Sequence, residues 1–248
     1  MGSRVRDTSV LSEIGLRPKM EDRYALVEGA GGLFGGVYDG HGGAGIADLV
    51  AMRLHGLFFG AVEEGLAPEA AFLRAYEQMD REARSPDCGS TAATFFIRGD
   101  QLAIAHLGDA RMILVGEEET EPLTEDHRVD HPKEQERVLR AGAEIDYPYV
   151  LRGWRGLMPT RSFGDTWFRA IGVIATPDVA SRRLGASDRY LVAACDGLWD
   201  VLDNERVAEI VRGARGAERA VNALAEIVFA RGGTDNLTVI VVEFNPAD

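Results

Sequence analysis

Short apolar runs rich in β-formers alternate along this chain with longer stretches of helical spacing. The runs at Leu33–Tyr38, Thr91–Ile97, Leu102–Leu107, Met112–Val115, Tyr190–Cys195 and Leu237–Phe244 are each bounded by Gly, Asp or other polar residues and read as strands. Helices are predicted over Ala44–Glu64, Pro68–Arg84, Lys133–Ala141, Asn204–Ala214 and Ala217–Ala230, with Pro68 near one start and Gly142 just past one end. The longest strands are apolar at successive positions, which implies sheets covered on both sides. Two helices precede a block of three strands and two more precede the last strand, so pattern alone goes no further than a layered α/β or α+β domain. The polar excursion from Asp126 to Pro159 carries Tyr147, Tyr149 and Trp154. It reads equally as an element flanking a binding cleft and as a long loop with an aromatic anchor.

Composition narrows the class of partner. The chain has 248 residues, 46% of them hydrophobic, enough for one substantial core, so a single domain over 1–248 is expected. A net charge of -13 repels phosphate backbones and anionic membrane surfaces, and neither nucleic acid nor membrane is an expected partner. Cys88 and Cys195 stand far apart with no CxxC spacing, which suggests neither a disulfide framework nor a thiolate zinc site and fits a reducing cytoplasm. The first six residues lack an apolar signal core, and Arg6 stands where a myristoylation signal needs Ser or Thr. No apolar run of roughly 18 residues, the length that spans a bilayer, is apparent. A soluble monomer with no regulatory domain after the last strand is the expectation.

The candidate chemistry lies in carboxylates at strand ends. Leu33–Tyr38 and Tyr190–Cys195 both run into Asp-Gly, as Asp39-Gly40 and Asp196-Gly197. An isolated Asp-Gly is a turn signal, but a carboxylate at the end of a buried strand is rigidly aimed, and the following Gly lets the backbone approach whatever that carboxylate holds. Glu21-Asp22 precedes an aromatic-containing strand, Asp109 follows one, and Asp235-Asn236 precedes the last. If these ends converge, several negative charges share one cleft, and they must either take up protons or coordinate a multivalent cation. All-oxygen ligation suits magnesium or manganese rather than zinc.

The histidines divide. His127 and His131 have an i, i+4 spacing but no catalytic Glu between them, and Pro132 follows, so they read as a polar loop rather than a zinc site. His55, on an apolar helix, reads as a packing or surface residue. His41 follows Asp39-Gly40 directly and points to a proton donor in the same cleft. Arg17, four residues before Glu21, could reach a phosphate with a bidentate fork, though surface exposure is the default for Arg.

Eight motifs now stand in order: Arg17-Pro18-Lys19-Met20-Glu21-Asp22, Val37-Tyr38-Asp39-Gly40-His41-Gly42-Gly43, Gly89-Ser90-Thr91-Ala92, Gly108-Asp109-Ala110-Arg111, Leu123-Thr124-Glu125-Asp126-His127, Arg161-Ser162-Phe163-Gly164-Asp165, Cys195-Asp196-Gly197-Leu198-Trp199-Asp200 and Thr234-Asp235-Asn236. This series, spanning nearly the whole chain, resembles that of the metal-dependent type 2C (PPM) serine/threonine phosphatases. The resemblance implies an α+β fold, a four-layer α-β-β-α sandwich of two antiparallel sheets flanked by helices on both faces, with a flap around residues 128–160. It also implies a role for Asp39 as the bridge between two Mn2+ or Mg2+ ions. Asp196 and Asp235 would then hold one ion, and Glu21 with the Gly40 carbonyl the other. Asp109 with Asp196 matches a third, weaker metal site. Arg17 matches the phosphate clamp and His41 the general acid, while Asp22, Asp165, Asp200 and Asn236 match residues that support the ligands or order the loops.

The implied reaction is hydrolysis of phosphoserine and phosphothreonine in proteins by a water or hydroxide bridging two cations. Signalling phosphoproteins, a kinase or its targets, are the implied partners. Two other readings stay open. One is a catalytically silent module that binds a phosphoprotein or partner, against which the intact Glu21, Asp39, Asp196 and Asp235 speak. The other is a phosphatase of a small phosphorylated metabolite. Departures from the family pattern at Leu157-Met158-Pro159-Thr160 and Ala110 touch none of the implied ligands, and those near Pro159 bear on substrate choice.

Overall fold

The computed structural model describes residues 4–246; residues 1–3, on which part of the reading of the amino terminus falls, and residues 247 and 248 lie outside the described residues. The chain opens with β1 (Val5–Glu13), β2 (Arg23–Gly29), β3 (Gly32–Tyr38) and the two-residue β4 (Gly40–His41), followed by helices α1 (Gly45–Glu63) and α2 (Pro68–Glu82). Next come β5 (Gly89–Ser90), β6 (Ala92–Arg98), β7 (Gln101–Leu107), β8 (Arg111–Gly116) and β9 (Thr120–Pro122). Helix α3 (Pro132–Arg140) leads into β10 (Glu144–Asp146), β11 (Tyr149–Arg152) and β12 (Arg155–Leu157). The chain closes with β13 (Phe163–Gly164), β14 (Asp178–Arg183), β15 (Asp188–Ala194), the single turn α4 (Asp196–Trp199), α5 (Asn204–Ala214), α6 (Ala217–Ala230) and β16 (Leu237–Phe244).

Period-two alternation explains why the longest strands are apolar throughout. In β16, Leu237, Val239 and Val241 point toward α5 and α6, while Ile240, Val242 and Phe244 point toward the second sheet. In β6, Ala92 and Phe96 face α1 and α2, and Ala93, Phe95 and Ile97 face the first sheet. Two antiparallel five-stranded sheets, ordered β1-β16-β15-β8-β9 and β14-β7-β6-β3-β2, therefore pack face to face between two helical layers. This is the four-layer sandwich that the family resemblance implies and that periodicity alone leaves undecided.

The structure adds strands that hydrophobic pattern does not reveal. β1, β9 and β14 lie at sheet edges and are half exposed, so water replaces the apolar neighbours that make an interior strand legible. The excursion after Asp126 is a built element: α3 and the three-stranded sheet β10-β11-β12 enclose a small core of Val129, Val138, Val150, Leu157 and Phe168. Helix α1 corrects one expectation, because its 19 residues are long and apolar enough, by length and composition, to cross a membrane. In this fold its face of Ile46, Val50, Leu54, Phe58 and Ala61 packs on the sheet.

The tightest part of that packing is aromatic. The Phe58 ring centroid lies 4.3 Å from that of Phe72, 4.9 Å from Phe96 and 5.5 Å from Phe34, all of them buried. Phe58→Ala leaves a hole ringed by three aromatic side chains and is expected to cost about 3–5 kcal/mol in urea denaturation. A loss below about 1 kcal/mol would mean that the cluster refills the space.

Candidate active site

Strand register gathers the carboxylates. In one sheet the pairings Arg23↔Tyr38, Val37↔Ala93 and Ala92↔Leu107 set the start of β2 and the ends of β3 and β7 side by side. In the other, Ala194 pairs with both Val239 and Arg111. Glu21, Asp39, Asp109, Asp196 and Asp235 therefore emerge at one end of the sandwich and line one cleft of about 560 Å³. The two Asp-Gly steps are close approaches rather than turns. A Cβ on Gly40 would collide with the Glu21 carbonyl oxygen, and one on Gly197 with that of Asn236.

Asn236 fastens the loop that carries Glu21. Its Oδ1 accepts from the Glu21 backbone N–H at 2.7 Å, and its Nδ2 donates to the Ile14 and Lys19 carbonyls at 2.8 and 3.0 Å. Asp22 lies beneath, 3% exposed, with one carboxylate oxygen lacking a partner. Burial pushes its pKa up to about 6, against hydrogen bonds from Cys195 and Thr238 that lower it.

The cluster is electrostatically frustrated. Burial, reinforced by the neighbouring charges of Asp196, Asp22 and Asp109, holds Asp39 well above the ordinary carboxylate range. Asp196 is pushed up to about 7 by burial and by Asp109 and Asp200. Two arginines relieve part of this charge: Arg17 donates to Asp235 at the cleft mouth, and Arg128 donates to Asp109, Asp196 and Asp200. The oxygens of Glu21, Asp39, Asp196 and Asp235, with nearby backbone carbonyls, form an anionic donor set that fits hard divalent cations. Asp109 is different, because its Oδ2 already accepts from Arg128 Nε at 2.7 Å. A guanidinium stands where the sequence led us to expect a third cation.

His41 is paired. Its Nε2 lies 2.6 Å from Asp165 Oδ2, which also accepts from Ser162 Oγ at 2.6 Å. Burial lowers the His41 pKa, but the hydrogen bond and charge of Asp165 more than offset it, so the imidazole is raised above its usual value. Gly89 has room for no side chain, since a Cβ there would strike both members of the pair. The opposite wall of the cleft comes from the flap, with Tyr149, Arg155, Leu157, Met158 and Pro159.

Several functional neighbours were missed in the sequence. Asp165 carries no sign of being the partner of His41, and Arg128 follows a motif whose own carboxylate, Asp126, pairs with Arg111 instead. His127 is not part of a polar loop. It is 3% exposed and stacks on His106 with ring centroids 4.0 Å apart, while His131 pairs separately with Glu125. His106, His127 and Asp178 bring potential ligand atoms within 4.8 Å of one another. Yet His127 Nδ1 accepts from the Gly108 N–H at 3.0 Å, which puts the ring proton on Nε2, where it meets Asp178 at 3.2 Å, and Arg161 also pairs with Asp178. His127 therefore turns no lone pair toward Asp178, while the buried Nε2 of His106 has no hydrogen-bond partner.

Comparison with known proteins is consistent throughout. Residues 10–237 match the family model described as Protein phosphatase 2C. Two proteins of Arabidopsis thaliana are similar: probable protein phosphatase 2C 11, 35% identical over 93% of this chain, and probable protein phosphatase 2C 59, 33% identical over 94% of it. The chain spans less than two thirds of the first relative's length, 64%, and 78% of the second's. Among solved structures, a serine-threonine phosphatase 2C from Toxoplasma gondii superposes with a TM-score of 0.83 at 25% identity, covering 99% of this chain and 96% of that one. A C. elegans sex determining protein gives a TM-score of 0.85 at 23% identity over 99% of this chain and 66% of that one, which speaks to the fold alone.

The raised carboxylates predict an unusual pH dependence for the metal-free protein. Asp22 and Asp196 bind protons more tightly when folded, at about 6 and about 7, than at the ordinary value of 3.8. They therefore contribute stability below that ordinary value which is lost as pH rises through the folded values. In chelator, Tm is expected to fall by about 4 °C or more between about pH 5 and pH 8, and millimolar Mn2+ should remove most of the slope. A chelated protein whose Tm stays level or rises across that window would contradict the frustrated cluster.

Proposed function

We propose that this chain, which belongs to the protein phosphatase 2C family, hydrolyses phosphoserine and phosphothreonine in proteins, with two divalent cations held by Asp39, Glu21, the Gly40 carbonyl, Asp196 and Asp235. One observation carries the reading: four carboxylates from both sheets meet in a cleft that also contains Arg17 and the His41–Asp165 pair. Asp39 comes from one sheet and lines the same cleft as Asp196 from the other, close enough for the Asp196 charge to raise its pKa, which would suit it to hold both cations. Cations held there would supply a lowered pKa for the attacking water and positive charge against the phosphoryl oxygens.

The chain's own groups do the rest. Arg17 is more than half exposed and turns from Asp235 to grip two phosphate oxygens with its fork. Asp165 engages His41 Nε2 and favours the protonated ring, so Nδ1 is the nitrogen left to hand a proton to the departing serine or threonine oxygen. Asn236 and Asp22 hold the Glu21 loop and the floor of the cluster. Neither thiol serves as a nucleophile: Cys195 is buried and its pKa is pushed far up, and Cys88 Sγ donates to the Gly43 carbonyl.

The all-oxygen donor set supports manganese or magnesium. Both cysteines are free thiols, which supports a cytoplasmic setting, and the net charge of -13 supports action away from anionic membranes. The substrates are the phosphorylated products of a protein kinase in signalling, acted on by a monomer. Mn2+-dependent turnover of phosphopeptides that is abolished by chelator and exceeds turnover of sugar phosphates tests the substrate class. Faster hydrolysis of the sugar phosphates would sink it.

Two substitutions test the assignments. Asp39→Asn removes the bridging charge and is expected to lower kcat by at least about a hundredfold while leaving a cooperative melt. Retention of more than about a tenth of the wild-type kcat at saturating Mn2+ would reject the bridge. His41→Gln should depress phosphopeptide turnover by about 10²- to 10⁴-fold but p-nitrophenyl phosphate much less, because nitrophenolate departs without a proton. Equal losses on the two substrates, with chemistry rate-limiting for both, would rule out the general acid.

A further inference from the structure

The Arg128 side chain is only 17% exposed and meets three carboxylates at once. Nε donates to Asp109 Oδ2 at 2.7 Å, Nη1 to Asp200 Oδ1 at 3.2 Å, and Nη2 to Asp196 Oδ2 at 3.3 Å. The backbone beneath it is fixed from both sides. His127 donates its N–H to the Gly108 carbonyl at 2.9 Å, and its own carbonyl accepts from the Thr160 N–H at 2.7 Å and from Thr160 Oγ1 at 2.9 Å. Val129 is buried in the small core of the flap. The guanidinium is therefore delivered to the acidic cluster by a pinned segment, rather than swinging in from a free surface position.

We infer that Arg128 is a built-in cation that takes the place of a third metal ion among Asp109, Asp196 and Asp200, so that the chain works with two divalent cations. A guanidinium is permanently charged and carries five donors, enough to engage all three carboxylates. It supplies one positive charge where a metal would supply two, and while it is in place it repels a cation seeking the same oxygens. The inference rests on the proposed two-metal site and can fail separately from it.

Equilibrium dialysis against Mn2+ counts the ions without reference to activity. Wild type is expected to bind two, and Arg128→Lys, which keeps the charge, also two. Arg128→Ala should bind a third ion at least about tenfold more tightly than wild type does, and the double variant with Asp109→Ala should lose that ion again. Melting curves with Mn2+ present identify any variant that is not folded, and Arg128→Gln replaces Arg128→Ala if the latter does not melt cooperatively. Three ions in wild type, or no third ion in folded Arg128→Ala and Arg128→Gln, overturns the inference and leaves the two-metal site standing. Fewer than two ions in wild type overturns the two-metal reading, and this inference falls with it.

Discussion

Like charges that share a desolvated space repel, and this repulsion organises the functional end of the molecule. Asp39, Asp109 and Asp196 arrive there because strand register and two interior-facing sheets give them no alternative. Their ionisation is opposed by burial and by one another, and the surrounding structure answers with partial remedies. Arg17 covers the mouth and Arg128 the side, while Asp39 at the centre forms an ion pair with neither arginine. A cation site is the general solution when carboxylates outnumber the protein's own counter-charges.

Such frustration has to be held by something rigid. The interior of each sheet is covered on both faces, and the carboxylates project from the ends of strands whose neighbours are almost wholly buried. Aromatic packing of Phe34, Phe58, Phe72 and Phe96 backs the sheet that carries Asp39, and the α5–α6 layer backs the one that carries Asp196. Hydrophobic burial here does not select the chemistry. It offsets the electrostatic cost of keeping the acidic groups together before any ligand arrives.

What could be read from the sequence follows the same physics. Helices α5 and α6 and strand β16 fall where periodicity puts them, because each helix buries one apolar face, β16 is buried throughout, and all are flanked by Asp, Gly or polar residues. Edge strands β1 and β14 escaped notice, since exposure on one side removes the apolar run. Two candidate ligands, Asp39 and Asp196, were legible as Asp-Gly at strand ends, a local pattern with a local cause. Their partners were not: His41 and Asp165 are 124 residues apart, and Arg128 lies 68 residues from Asp196. A pairing across that separation leaves no mark in either segment, and the sandwich topology itself came from the motif series rather than from periodicity.

The flap adds a coupling that neither the sheets nor the acidic cluster would produce alone. At its base Glu134, 1% exposed, accepts from Arg137 at 2.6 Å, Arg161 at 2.7 Å and Thr160 Oγ1 at 2.5 Å, and these partners outweigh burial to keep its carboxylate ionised far below the usual range. Thr160 also holds His127, and His127 precedes the arginine that meets Asp109. The chain of contacts therefore runs from a satisfied buried ion cluster, through one threonine and one histidine, to the unsatisfied cluster at the cleft. The flap also supplies the cleft wall of Tyr149, Arg155 and Met158, so that wall and Arg128 belong to the same element. The cleft wall and the arginine that balances charge at the acidic cluster are thus built into one element of the fold.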